Sequence, residues 1–139
     1  MSDQILLGVT LLIVAVFVVL AISYYFAFIF RSKPAKWKIE LETRIRKLEA
    51  RGFDQERKLL EYDKLLGWTL QKKFFSDDSI GSLLKSHKDK FSKVLLNDLW
   101  EAHKLRNKLA HDVDFHPGKS EINKAVIILK RYLQKQASS

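Results

Sequence analysis

The most pronounced pattern in the chain is a continuous apolar segment near its N-terminus. Residues Ile5–Phe30 include 23 apolar side chains out of 26, and the exceptions are Gly8, Thr10 and Ser23. A helix needs roughly 20 apolar residues to cross the hydrocarbon core of a bilayer. The pattern therefore predicts one transmembrane helix over residues 5–30, through which the chain binds the lipid bilayer.

A cleaved signal peptide is the alternative interpretation of this segment. The chain begins with Met-Ser-Asp-Gln, which is acidic rather than basic, and no small-residue cleavage site precedes the first basic residues. The apolar run is also longer than the core of a signal peptide. We therefore expect a permanent single-pass anchor.

The basic residues after the apolar segment predict its orientation. They are Arg31, Lys33, Lys36 and Lys38, whereas Asp3 is the only charged side chain before them. The positive-inside rule then places the N-terminus outside the cell membrane and the C-terminal domain in the cytoplasm. The same four cations are suited to contact with anionic lipid headgroups.

Residues 31–52 are expected to form a basic juxtamembrane linker. Pro34 should end the first helix, because proline lacks an amide hydrogen. A short amphipathic helix follows, with one apolar stripe at helical spacing. This stripe consists of Trp37, Leu41, Ile45 and Leu48. Two heptads leave a solvated stalk and a dimerising coiled coil both open.

Residues 53–136 predict a small bundle of about four helices. Asp54, Ser92 and Ser120 stand where helix N-caps are expected, and turn-forming residues separate the apolar-periodic segments. No segment alternates with the period of two that is typical of a strand. The expected fold class is all-α: a single N-terminal transmembrane helix followed by a small cytoplasmic four-helix bundle.

The predicted helix over Lys93–His111 carries three polar side chains inside its apolar arc. At 100° per residue, Arg106 projects between two leucines of this arc. An unpaired buried charge costs several kcal/mol, so Arg106 needs a carboxylate, a carbonyl, a partner subunit or a solvent-filled cleft. The other two polar residues of the arc are His103 and Asn107.

Two hypotheses explain these polar positions. In the first, Arg106 is structural and pairs with a carboxylate of the bundle, because buried polar groups are usually hydrogen-bonded. In the second, Arg106, Asn107 and His111 form an anion site. A planar guanidinium binds phosphate in a fork, and an imidazole transfers protons near neutral pH.

The segment Leu105–Asp112 resembles the signature of HEPN domains, in which an arginine, a polar residue, a few residues and a histidine follow one another. The order of helices around it is also similar, and the resemblance covers roughly residues 53–136. Many HEPN domains are metal-independent endoribonucleases that act as dimers, with two motifs facing one cleft. The chain therefore resembles a membrane-anchored member of this superfamily.

The resemblance implies a role for each motif residue. Arg106 would hold the scissile phosphate of RNA, Asn107 would orient the phosphate or the histidine, and His111 would act as general acid or base. The RNA 2′-hydroxyl would attack and leave a 2′,3′-cyclic phosphate. Other members of the superfamily are binding or dimerisation modules, so a non-catalytic, membrane-tethered interaction module is the alternative. In both hypotheses we expect a homodimer.

Composition narrows the remaining classes. The chain has 139 residues and no cysteine, which excludes disulfides, thiolate metal sites and a cysteine nucleophile. His111 and His116 have ligand-like spacing but no acidic support, so we expect neither a metal nor a cofactor. Residues 31–139 carry 25 basic and 15 acidic side chains, a net charge of +10. Such a charge attracts either RNA or the anionic inner leaflet.

Overall fold

The computed structural model of the protein describes residues 2–32 and 35–139. Lys33 and Pro34, and with them the predicted helix break, lie outside this part, as do the side chains of residues 2, 4–6 and 26–32. The described residues form helices and contain no strand. The α-helices are α1 (Ser2–Ser32), α2 (Lys36–Ala50), α3 (Gln55–Phe74), α4 (Ile80–Ser86), α5 (Lys93–His111) and α6 (Lys119–Ser138).

Helix α1 belongs to one of two separate units, which comprises residues 1–35. Its stretch Leu7–Tyr25 is long and apolar enough to cross a membrane, and it is the one such stretch among the described residues. Every side chain of this stretch is exposed. The sequence-based prediction of one N-terminal apolar helix is therefore confirmed.

The second unit, residues 36–139, contains helices α2 to α6. Side chains cap three of these helices. Asp54 accepts a hydrogen bond from the Arg57 amide at 2.8 Å, and Ser92 accepts one from the Leu95 amide at 3.2 Å. Such caps satisfy amides that have no partner within the helix. Ser79 caps α4 in the same way, but the expected cap at Ser120 was wrong, because α6 begins one residue earlier and Gly118 occupies its cap position.

Helix α2 packs into the core of this unit rather than standing apart from it. Leu41, Ile45 and Leu48 are buried, and α2 contacts both α3 and α6. The unit that starts at Lys36 therefore holds five α-helices, of which four, α3 to α6, lie in residues 53–139.

A polar junction fastens α2 to its two neighbours. The Tyr62 hydroxyl of α3 donates to the Glu49 carboxylate, and Lys130 Nζ of α6 donates to the same carboxylate at 2.8 Å. Mainly the hydrogen bond from Lys130, and then the one from Tyr62, hold the pKa of Glu49 below its usual value. Burial, with Glu49 as the second cause, raises the pKa of Tyr62.

Candidate functional site

Helix α5 presents the residues of the resembling motif at its C-terminal half. Leu99, Ala102 and Leu105 are buried in the core and fix the rotation of the helix. Because neighbouring positions share a face at spacings of three and four, Arg106 then lies on the same side as Ala102. The helix ends at His111, and the amide of Asp112 closes the last turn on the Lys108 carbonyl at 2.9 Å.

The core of the site is Asp63, a carboxylate of α3 whose side chain is only 3% exposed. Its Oδ1 atom lies 2.8 Å from Nδ1 of His103, and its Oδ2 atom lies 3.3 Å from Nε of Arg106. A buried carboxylate is stable only when charged or polar partners replace the lost water. Asp63 therefore holds two side chains of α5 against α3.

Asn107 links the same two side chains on their other side. Nη1 of Arg106 donates to Oδ1 of Asn107 at 2.9 Å, and Nδ2 of Asn107 lies 3.1 Å from Nε2 of His103. With the imidazole proton on Nδ1, donors and acceptors match at each of these contacts. We call the four residues Asp63, His103, Arg106 and Asn107 the polar ring.

Arg106 is not fully enclosed by the polar ring. Its side chain is 23% exposed, which contrasts with the 3% of Asp63. Nε is buried and makes no hydrogen bond within the described part of the chain, so its contact with Asp63 is electrostatic. Nη2 makes no hydrogen bond there either, and that edge of the guanidinium is suited to an anionic oxygen.

His111 stands apart from the polar ring. Its side chain is exposed and makes no hydrogen bond or ion pair with another residue in the described ranges. It follows Asn107 by four residues, so both side chains lie on one face of α5. Of the predicted catalytic residues, the structure thus joins Arg106 to Asn107 and leaves His111 one helical turn away.

Asp63 and the linking role of His103 were not predicted. The signal for Asp63 was present, because it lies within the buried face of α3 next to Tyr62 and Leu66. Like Arg106, Asp63 is a polar side chain in an apolar stripe, where burial without a partner is costly. Asp63 pairs with Arg106, and a carboxylate is one of the partners that the sequence analysis allowed for this arginine.

The described residues contain no group of three or more histidine or acidic side chains that could hold a metal ion. The side chains of the polar ring and His111 comprise a carboxylate, a guanidinium, an amide and two imidazoles. Comparisons of the chain with protein-family models, with curated proteins and with solved structures find no match, so the likeness to HEPN domains rests on the motif and the helix order.

Proposed function

We propose that the protein is a membrane-anchored, HEPN-like endoribonuclease that needs no metal. The observation that supports this proposal is that the Arg106 guanidinium is held in place but only partly enclosed. Asp63 and Asn107 fix its guanidinium, yet one edge stays open on the helix that also bears an exposed histidine. Metal-independent phosphodiester cleavage uses a fixed cation, which stabilises charge, and a proton-transfer group, and α5 carries one of each.

In this mechanism the free edge of Arg106 binds the scissile phosphate and stabilises the charge that develops on it. His111 accepts a proton from the attacking 2′-hydroxyl or gives one to the leaving 5′-oxygen. His111 of a second copy of the chain makes the other of these two proton transfers. Asn107 orients the guanidinium through its carbonyl oxygen. The products are a 2′,3′-cyclic phosphate and a free 5′-hydroxyl, so no bond is oxidised or reduced.

A second copy of the chain completes the site in this proposal. Cleavage needs an acid and a base, and the single chain offers one exposed histidine on the motif face of α5. Two motifs facing each other would provide two His111 side chains for one phosphate. We expect sedimentation of the detergent-solubilised chain to show a dimer at tens of micromolar, and a strict monomer would contradict the composite cleft.

The membrane part of the proposal concerns α1. Its exposed apolar side chains from Leu7 to Tyr25 favour insertion into lipid. The basic residues that follow favour an outside N-terminus and a cytoplasmic unit, with Lys36 and Lys38 near the headgroups. We expect the chain to resist extraction from membranes by alkaline carbonate, and a C-terminal tag to be cleaved by protease only after the cells are opened.

A non-catalytic interaction module is the second candidate, and one observation favours it. Within the polar ring, Asp63 already neutralises the charge of Arg106, and His111 lacks a contact with the ring. In that case Arg106 stabilises the fold and does not bind phosphate. Incubation of the full chain with varied RNAs in EDTA separates the candidates, because only the nuclease produces 2′,3′-cyclic ends.

A further inference from the structure

Helices α2 and α3 form a surface groove of about 290 Å³ that the proposed cleavage chemistry does not use. Four cations line it, together with two aromatic rings and one carboxylate. The aromatic side chains are Phe53 and Trp68, and the carboxylate is Glu61. The cations are Arg44, Lys47, Arg51 and Lys64.

The local sequence explains how these groups come together. Arg44 and Lys47 are three residues apart on one face of α2, and Arg51 follows directly after the last residue of that helix. Gly52 then takes a positive φ of 62°, which turns the chain sharply and brings Phe53 beside that face. The α3 side of the groove is formed by Glu61, Lys64 and Trp68, which follow one another at intervals of about one helical turn.

A guanidinium group lies over each of the two aromatic rings. Cζ of Arg44 lies 4.6 Å from the centre of the Trp68 ring, and Cζ of Arg51 lies 5.8 Å from that of Phe53. The Arg44 side chain is 48% exposed, so its planar group is accessible to a ligand. Nucleic-acid bases stack on guanidinium planes and on aromatic rings.

The charges of the groove are not balanced. Glu61 is shared by Arg57 and Lys64, each at 3.1 Å, and Arg44 is paired with Glu40 at 2.7 Å. Lys47 and Arg51 make no ion pair within the described part of the chain. Two cations without a counter-ion beside a stacking platform are suited to the phosphates of a strand.

We propose that this groove is an accessory site for single-stranded RNA, with a base stacked on Arg44 and phosphates bound by Lys47 and Arg51. The proposal rests on the proposed function for the choice of RNA as ligand. On α3, Trp68 and Lys64 lie roughly 100–140° around the helix from Asp63, so the site binds a segment of the strand distant from Arg106. A concave, aromatic site favours a splayed base over a flat bilayer surface.

The test is RNA binding by the full chain in nanodiscs of zwitterionic lipid. Fluorescence anisotropy would follow a labelled 2′-O-methyl RNA of 12 nucleotides, which lacks the attacking hydroxyl, over a range of salt concentrations. We expect Lys47→Ala/Arg51→Ala to weaken binding at least about tenfold and to lower the salt slope by about 1.4, the value for two phosphate contacts on a single strand.

Two further variants separate stacking from general charge. Arg44→Lys keeps the charge but removes the planar group, so binding should weaken at least about fivefold with an unchanged salt slope. Lys85→Ala/Lys88→Ala removes the same charge from exposed positions outside the groove and should change affinity less than about twofold. Equal losses in the groove variant and this control would overturn the proposal.

The remaining outcomes keep the two proposals distinguishable. If binding depends on the groove but the chain cleaves no unmodified RNA, the accessory site is supported and the proposed nuclease activity is rejected. If the chain cleaves RNA but its groove variants bind RNA like the wild type, the accessory site is rejected and the nuclease proposal stands. Groove-dependent recruitment to anionic vesicles without RNA binding would assign the groove to lipid and overturn the proposal.

Discussion

Oδ2 of Asp63 lies 3.3 Å from Nε of Arg106, which places a nearly buried carboxylate of α3 against the guanidinium of α5. The other oxygen of the same carboxylate contacts His103. Asp63 thus compensates the positive charge that the apolar pattern of α5 could not accommodate. This pair serves both proposed functions, because it stabilises the bundle and fixes the orientation of Arg106.

The first prediction concerns the removal of this carboxylate. Asp63→Asn places an amide nitrogen or an uncharged oxygen against Arg106 and leaves the guanidinium without a counter-ion. We expect the free energy of unfolding to fall by about 2–3 kcal/mol, because Arg106 is only partly exposed. Urea unfolding followed by tryptophan fluorescence measures it, since all three tryptophans lie in residues 36–139.

Two comparisons make the Asp63 prediction specific. Asp114→Asn is the same substitution at an exposed position and should change stability by less than about 0.5 kcal/mol. The double variant Arg106→Gln/Asp63→Asn should lose less stability than the sum of the two single variants. Each single variant leaves one charge without its partner, whereas the double variant removes both charges. Additive effects would show that the two residues do not interact.

The second prediction tests whether α2 belongs to the core. Leu41 is fully buried, whereas Ile39 on the same helix is 54% exposed. We expect Leu41→Ala to destabilise the chain by about 2–4 kcal/mol and Ile39→Ala by less than about 0.5 kcal/mol. Equal, small effects in urea unfolding would mean that α2 is a solvated stalk.

The third prediction follows from the lowered pKa of Glu49. The folded state binds the Glu49 proton more weakly than the unfolded state, so this group stabilises the fold above its ordinary pKa of 4.5. That stability is lost as the pH falls through the lower, folded pKa. Glu49→Gln should therefore lose less stability than the wild type as the pH falls below about 4.5.

A second variant checks the cause of that pH dependence. Lys130 donates the hydrogen bond that lowers the pKa of Glu49 most. Lys130→Met should therefore reduce the acid sensitivity of unfolding in the same direction as Glu49→Gln. Stability curves for both variants that run parallel to the wild type below pH 4.5 would contradict the role of this junction.

Local signals predicted the helices well, and contacts between distant residues were harder to predict. The positions of Asp54 and Ser92 as caps follow from short-range hydrogen bonds, which the sequence specifies directly. The partner of Arg106 lies 43 positions earlier in the chain, and its identity depends on how α3 is rotated against α5. The burial of Leu41 likewise depends on packing against α3, the next helix, and against α6, which is distant in sequence.

The motif residues show the same limit. The helical projection placed Arg106 and Asn107 in one broad apolar arc, 100° apart, and their side chains do contact each other. The spacing also placed His111 near them, but it could not specify whether a hydrogen bond forms within one chain. That contact depends on the side-chain conformations of His111 and its neighbours.

The central claim is that Arg106 and His111 cleave RNA, and an RNA cleavage assay in EDTA tests it most directly. The full chain in nanodiscs, its Arg106→Lys and His111→Ala variants and the matched control His116→Ala would be incubated with an end-labelled RNA. His116 is an exposed histidine five positions beyond His111. We predict 2′,3′-cyclic products from the wild type and His116→Ala, and at least about a 100-fold loss in the other two variants. Cleavage that persists in His111→Ala, or no cleavage by the wild-type chain, would show that Arg106 and His111 do not form a ribonuclease site.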